Sequence, residues 1–142
     1  MYSNKIHLEF DAKSINEGFA RVVAAALATQ LNPTIDEVND IKTAVSEAVT
    51  NAIIHGYNGQ GGVIYMDMEI DEEGIIIIVE DKGIGIDDLK QAMEPLFTTK
   101  GTEERSGMGF AFMEMFMDEL NVESEKGVGT KVYMKKYINW KN

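Results

Sequence analysis

The run from Ile75 to Val79 is apolar at every position. It has the length of a strand, far short of the ~18 residues a membrane span needs. A strand apolar toward both faces belongs in the middle of a sheet. The surrounding sequence supplies its neighbours. Ile64, Met66, Met68 and Ile70 alternate with Tyr65, Asp67 and Glu69, and Asp71 to Gly74 makes the turn into the central strand. Residues 5–10 (KIHLEF) alternate in the same way, and residues 120–125 and 129–137 read as a hairpin turned by Lys126-Gly127.

Helical patterns separate these strands. Ser14 with Glu17 forms an S-x-x-E capping-box pattern, and an Ala-rich helix is expected to run to about Leu31, where Asn32-Pro33 breaks it. Thr34 with Glu37 repeats the pattern and opens a second helix. On that helix Val38, Ile41, Val45, Ala48 and Ala52 recur at alternating steps of three and four, which marks a buried face. Thr43, Glu47, Asn51 and His55 recur every four residues as a polar stripe beside it, and Gly56 reads as the C-terminal stop. A short helix is expected over about 88–93, stopped by Pro95, then a mobile loop over 94–109 and a Met- and Phe-rich helix from about Met108 to Asp118. Met113, Met115 and Met117 on it predict core packing or a helix–helix contact.

This order, β-α-α-β-β-α-loop-α-β-β, partly segregates helices from strands and lets adjacent strands pair antiparallel. The expected fold is α+β: a two-layer sandwich of a mixed, mainly antiparallel sheet with helices on one face. A Rossmann arrangement would need a βαβ unit around the glycines. The 142 residues fit one domain, with no repeat or linker dividing 1–142.

The formal net charge of −11 opposes a role in direct nucleic-acid binding or at a membrane through basic residues. An acidic surface suits a basic protein partner, and equally suits solubility alone. The chain has no cysteine, which fits a reducing compartment, and MYSNKIHLEFD has no apolar signal-peptide segment. A cytoplasmic location is therefore expected.

Several short patterns can carry chemistry. Glu47 and Asn51 lie one helical turn apart; the carboxylate can accept a proton, and the amide oxygen is a hard ligand suited to Mg²⁺. Taken alone, the pair also fits a solvated helix face, and His55 fits a helix end. Asp81-Lys82-Gly83-Ile84-Gly85 follows the central strand, where an aspartate can accept a hydrogen bond from a base amino group and glycines let backbone approach a flat ring. An ordinary turn has the same composition. Ser106-Gly107-Met108-Gly109-Phe110 precedes a helix whose first N–H groups can hold phosphate oxygens, with Lys100 and Arg105 in the same loop to neutralise charge. Gly127-Val128-Gly129-Thr130 is explained by a glycine-rich hairpin turn.

In conjunction and in this order, E-x-x-x-N-x-x-x-H, D-x-G-x-G, G-M-G-F and G-x-G-T resemble the motif series of the gyrase/Hsp90/histidine-kinase/MutL ATPase superfamily. The resemblance covers essentially the whole chain and implies its Bergerat-type ATP-binding fold. Within the superfamily the chain is similar to the small anti-sigma factor kinases, through HLEF at 7–10, FARVVAAA at 19–26, VSEAVTNAIIHGY at 45–57, PLFTTK at 95–100 and ERSGMGF at 104–110. The resemblance implies ATP and Mg²⁺ as cofactors, sequestration of a sporulation sigma factor of the sigma F type, phosphorylation of a serine on an anti-anti-sigma protein, and a homodimer. It implies that Glu47 is the catalytic glutamate and Asn51 the magnesium ligand, with His55 in the nucleotide motif. Asp81 would be the adenine-reading aspartate, with Gly83, Gly85 and Ile86 beside it and Thr130 in support. The ATP lid and phosphate loop would comprise Thr98, Thr99, Lys100, Arg105, Ser106, Gly107, Met108, Gly109 and Phe110, with Arg105 also near the terminal phosphate as a catalytic cation. Arg21 matches a partner-contacting arginine. The alternative is a nucleotide-dependent binding module without phosphotransfer. A histidine-kinase catalytic fragment would need a phospho-accepting histidine, and only His7 and His55 exist. A gyrase- or MutL-type clamp would need a transducer domain, for which 142 residues are expected to leave no room.

Overall fold

The computed structural model describes residues 2–87 and 109–138. Strands β1 (Asn4–Asp11), β2 (Val63–Ile70), β3 (Gly74–Asp81), β4 (Glu119–Glu125) and β5 (Gly129–Tyr137) form one sheet in the order β1-β2-β3-β5-β4. Every pairing among the described strands is antiparallel. Helices α1 (Ile15–Ala28), α2 (Ile35–Asn51) and α3 (Gly109–Phe116) complete the described regular structure, with α2 touching both α1 and α3. The fold is α+β, as the element order predicts.

The core lies between the helices and one face of the sheet. Ile64, Met66, Met68 and Ile70 of β2, Ile75, Ile77 and Val79 of β3, and Val132 and Met134 of β5 meet Ala20 and Ala24 of α1 and Ile41, Ala44, Val45, Ala48 and Val49 of α2. β3 is central, but the described residues do not cover its opposite face: Ile76 and Ile78 remain half-buried there. An all-apolar strand therefore marks lateral centrality here, not burial on both faces. Both edge strands point charged residues outward, Lys5, Glu9 and Asp11 on β1 and Glu119, Glu123 and Glu125 on β4, which discourages further strand addition. Met113 and Met117 pack in the core, while Met115 is exposed. No described helix is long and apolar enough to cross a membrane.

Lys136 ties the layers together. It projects from β5 so that Nζ donates to Asp40 Oδ2 on α2 at 2.9 Å and to the Phe116 carbonyl at the end of α3 at 2.8 Å. A cation at a helix C-terminus meets the negative end of the helix dipole, so one side chain fixes two helices against the sheet.

The two predicted capping boxes have different outcomes. At α2 the box is complete: Glu37 N–H donates to Thr34 Oγ1 at 3.0 Å, and Thr34 N–H donates to Glu37 Oε1 at 2.8 Å. At α1 it does not form. Ser14 already has helical backbone angles and makes no side-chain cap, and Glu17 instead lies 3.4 Å from Arg21 Nε one turn on. The boundary after α1 matches expectation more closely. A 3₁₀ turn over Thr29–Leu31 leads to Asn32 at φ 53°, just before Pro33.

This contrast is testable by urea denaturation. Thr34→Ala is expected to lower stability by about 1 kcal/mol, whereas Ser14→Ala should change it by less than about 0.5 kcal/mol. Equal losses would contradict the capping assignment.

Candidate functional site

The polar stripe of α2 runs into a change of helix geometry. Glu47 is buried, 7% exposed, and Asn51 is half-buried one turn further on. After Asn51 the chain widens into a π-turn over Ala52–Gly56, where Tyr57 N–H donates to the Ala52 carbonyl at 3.0 Å. Such turns interrupt the α-helical spacing and re-aim the residues beyond them. His55 thus sits in the π-turn, half-buried.

The π-turn delivers Gly56 against the end of β3. A Cβ on Gly56 would lie 2.6 Å from Asp81 Cγ, and one on Gly83 would lie 1.9 Å from the Gly56 carbonyl oxygen. That carbonyl accepts a hydrogen bond from Ile84 N–H at 2.9 Å. Only glycine at both positions permits this approach.

Asp81 is 4% exposed, and its Oδ1 accepts from Gly83 N–H at 3.0 Å. Burial raises its carboxyl above the ordinary value of 3.8, while the backbone N–H groups of Gly83 and Thr130 pull it back down. Thr130 is the cross-strand partner of Asp81 and is itself buried. Gly129, at φ +141°, has no room for a side chain, since its Cβ would stand 2.1 Å from the Asp81 carbonyl oxygen. Gly85, at φ +75°, approaches the Glu125 carbonyl in the same fashion, and Ile86 N–H donates to Ser124 Oγ at 2.8 Å.

The other end of the seam is at Glu47. Gly109, the first residue of α3, is buried beside it: a Cβ there would stand 3.6 Å from Glu47 Oε1. Phe110 is buried as well. The helical path from Glu47 to Gly56 covers about 12 Å. Two buried carboxylates, Glu47 and Asp81, therefore stand at opposite ends of one helix–sheet seam, with glycine backbone at each end. A carboxylate can accept a hydrogen bond at one end of the seam and a proton at the other.

Thr98, Thr99, Lys100, Arg105, Ser106, Gly107 and Met108 lie outside the described residues, as do the short helix expected over 88–93 and nearly all of the 94–109 loop. Arg21 is exposed on α1 and pairs along its own helix with Glu17. Among the described residues no group of three or more His, Asp or Glu could hold a metal by itself.

Sequence reasoning underrated three features of this seam. Gly56 reads as a helix stop, but it is also the surface against which Asp81 packs. Gly129 reads as a turn residue, although Gly127 alone turns in open space. Ser124 carried no signal in a strand pattern, yet its hydroxyl lies 2.8 Å from Thr130 Oγ1.

Comparison with known proteins assigns the fold to a family. The family model for the histidine kinase-like ATPase domain matches residues 9–136. Fold and seam together thus define a histidine kinase-like ATPase domain. A crystal structure of the RsbU and RsbW domains of a Mycobacterium tuberculosis protein shares this fold with a TM-score of 0.66 at 17% identity, covering 95% of this chain and 32% of that one. The chain is 60% identical to the anti-sigma F factor of Clostridium beijerinckii over 98% of each chain. It is 61% identical to that of Clostridium perfringens over 96% of this chain and 98% of the other. The chain belongs to the anti-sigma F factor family.

The seam sets two expected outcomes. Gly83→Ala is expected to destabilise the protein by about 2 kcal/mol or more, because the added methyl meets backbone on the opposite side; thermal melting of the nucleotide-free protein measures it. The raised Asp81 value sets a pH dependence. Its contribution to stability is fully present below 3.8 and is lost as pH rises through the folded value. The melting temperature of Asp81→Asn relative to the unaltered chain should therefore climb from about pH 3 to pH 7; a flat difference would refute the burial cost.

Proposed function

We propose that this chain sequesters a sporulation sigma factor of the sigma F type and uses Mg·ATP to phosphorylate a serine on an anti-anti-sigma protein, acting as a homodimer in the cytoplasm. The observation that carries the enzymatic part is the pairing of buried Glu47 and buried Asp81 at the two ends of one seam. The sigma-factor part is supported by identities of 56–61% to anti-sigma F factors along nearly the whole chain.

In this reading Asp81 accepts from the base amino group, Gly56 and Gly83 let the helix end and the loop close around that carboxylate, and Thr130 supports it. Ile86, Gly85 and His55 line the nucleotide's course toward Glu47. The phosphates lie toward Gly109 and Phe110, with Thr98, Thr99, Lys100, Arg105, Ser106, Gly107 and Met108 supplying donors and positive charge. Asn51 would hold Mg²⁺, which neutralises phosphate charge when bound. Its amide oxygen is a single hard ligand, which suits an ion whose other ligands are phosphates and water.

Transfer is in line. The serine hydroxyl oxygen bonds to the γ-phosphorus, the bond from that phosphorus to the β–γ bridging oxygen breaks, and ADP leaves with the electron pair. Glu47 accepts the hydroxyl proton, and Arg105 with Lys100 stabilises charge on the moving group. Arg21, exposed on α1, is the proposed partner contact.

Glu47→Ala should retain nucleotide binding while phosphate transfer to the partner falls by roughly 10²–10⁴; radiolabelled ATP measures it, and normal transfer would end the assignment of Glu47 as base. Asp81→Asn should weaken ATP binding itself. If the unaltered chain binds nucleotide and partner but moves no label, a binding module without phosphotransfer replaces this reading.

A further inference from the structure

The loop over residues 82–86 carries the backbone that surrounds Asp81. Two of its N–H groups are held within the seam: Gly83 donates to Asp81 Oδ1 at 3.0 Å and Ile84 to the Gly56 carbonyl at 2.9 Å. Two others are held by side-chain hydroxyls. Lys82 N–H donates to the Tyr57 hydroxyl at 2.7 Å, and Ile86 N–H donates to Ser124 Oγ at 2.8 Å. We propose that Tyr57 and Ser124 are positioning residues that clamp the two ends of this loop, holding Asp81 and Gly83 in the geometry that receives the nucleotide base. The inference rests on the proposed nucleotide site and deepens it.

A hydroxyl both accepts and donates, so it can join a loop N–H to a carbonyl on a fixed element. Tyr57 does so at one end: it accepts from Lys82 and donates to the carbonyl of Val63, the first residue of β2, at 2.6 Å. Its ring is held against Gly62, where a Cβ would stand 2.6 Å from Tyr57 Cε1. Gly62 is anchored in turn, its carbonyl accepting from Ala12 N–H at 2.8 Å. Ser124 performs the same role at the other end. It accepts from Ile86, donates to the Gly129 carbonyl at 3.1 Å, and lies 2.8 Å from Thr130 Oγ1. Each hydroxyl thus connects the loop to a different part of the sheet, β2 for Tyr57 and the β4–β5 hairpin for Ser124. The Lys82 side chain is drawn aside, its Nζ lying 4.8 Å from the Tyr65 ring centroid. A loop fixed in its binding shape before the ligand arrives loses less entropy on binding, which appears as affinity.

Tyr57→Phe keeps the ring on Gly62 and removes only the hydroxyl; Ser124→Ala removes the second. Three quantities separate positioning from plain support of the fold: affinity for Mg·ADP by calorimetry, KM for ATP against kcat, and amide hydrogen exchange of the nucleotide-free protein. Each variant should bind Mg·ADP about tenfold more weakly. KM for ATP should rise in parallel, with kcat at saturation within about twofold. Exchange should quicken at Lys82 in Tyr57→Phe and at Ile86 in Ser124→Ala. Unchanged affinity in both variants, or a fall in kcat with KM unmoved, overturns the proposal. Unchanged exchange at Lys82 and Ile86 overturns the clamp whatever the ligand. If the unaltered chain binds no Mg·ADP, the nucleotide reading fails and takes the affinity half of the inference with it; quickened exchange in the variants would then show that failure to be separate from the clamp.

Discussion

The backbone of Gly56 touches the Asp81 carboxylate, and the Gly56 carbonyl receives Ile84 N–H at 2.9 Å. This contact joins the end of α2 to the end of β3, and the candidate site depends on it. Without it, the π-turn and the loop after β3 would be two separate surface features. It exists because neither Gly56 nor Gly83 has a side chain; a methyl on either would meet the other element at well under van der Waals distance. The π-turn is the companion constraint. It changes the helical phase after Asn51, so that Gly56 arrives at β3 while Glu47 stays buried beside Gly109.

α2 can carry this arrangement because its other face is anchored. Ile41, Ala44, Val45, Ala48 and Val49 are almost wholly buried against the sheet and the adjacent helices. Each fully buried Val or Ile contributes about 1.5–3 kcal/mol. That contribution offsets the cost of placing two carboxylates, Glu47 and Asp81, out of solvent. Buried ionisable groups that oppose folding are characteristic of sites where local preference is subordinated to chemistry. Lys136 braces the same helix from the sheet side, through Asp40.

Electrostatics limits what the described residues can do alone. The chain carries a net charge of −11, so its overall field repels an anionic ligand. Any attraction for an anion must therefore be local, from backbone N–H groups such as those at a helix start. Asp81 is not subject to that limit, since a buried carboxylate can accept a hydrogen bond from a neutral donor.

Much of this was legible in the residues. The apolar run at 75–79 located the central strand, the alternation in 64–70 located its neighbour, and Thr34 with Glu37 marked the start of α2. These are local signals, set by side-chain periodicity and by bonds between residues three apart. Local pattern also misled. Ser14 with Glu17 has the same spelling as a capping box, but Glu17 pairs with Arg21. The run apolar on both sides placed β3 in the middle of the sheet, as found, while Ile76 and Ile78 stay half-buried on the face away from the described helices.

The chain's own order of residues determined the described strands and helices and the kind of fold. Tertiary structure alone decided that α2 ends in a π-turn, that Gly56 and Gly129 close around Asp81, and that Tyr57 and Ser124 hold the loop between them. The reason is physical: periodicity records which face of an element is apolar, whereas a close approach between backbones is fixed by how distant segments pack, and a glycine or a hydroxyl reads the same in sequence whether it turns the chain or touches another part of it.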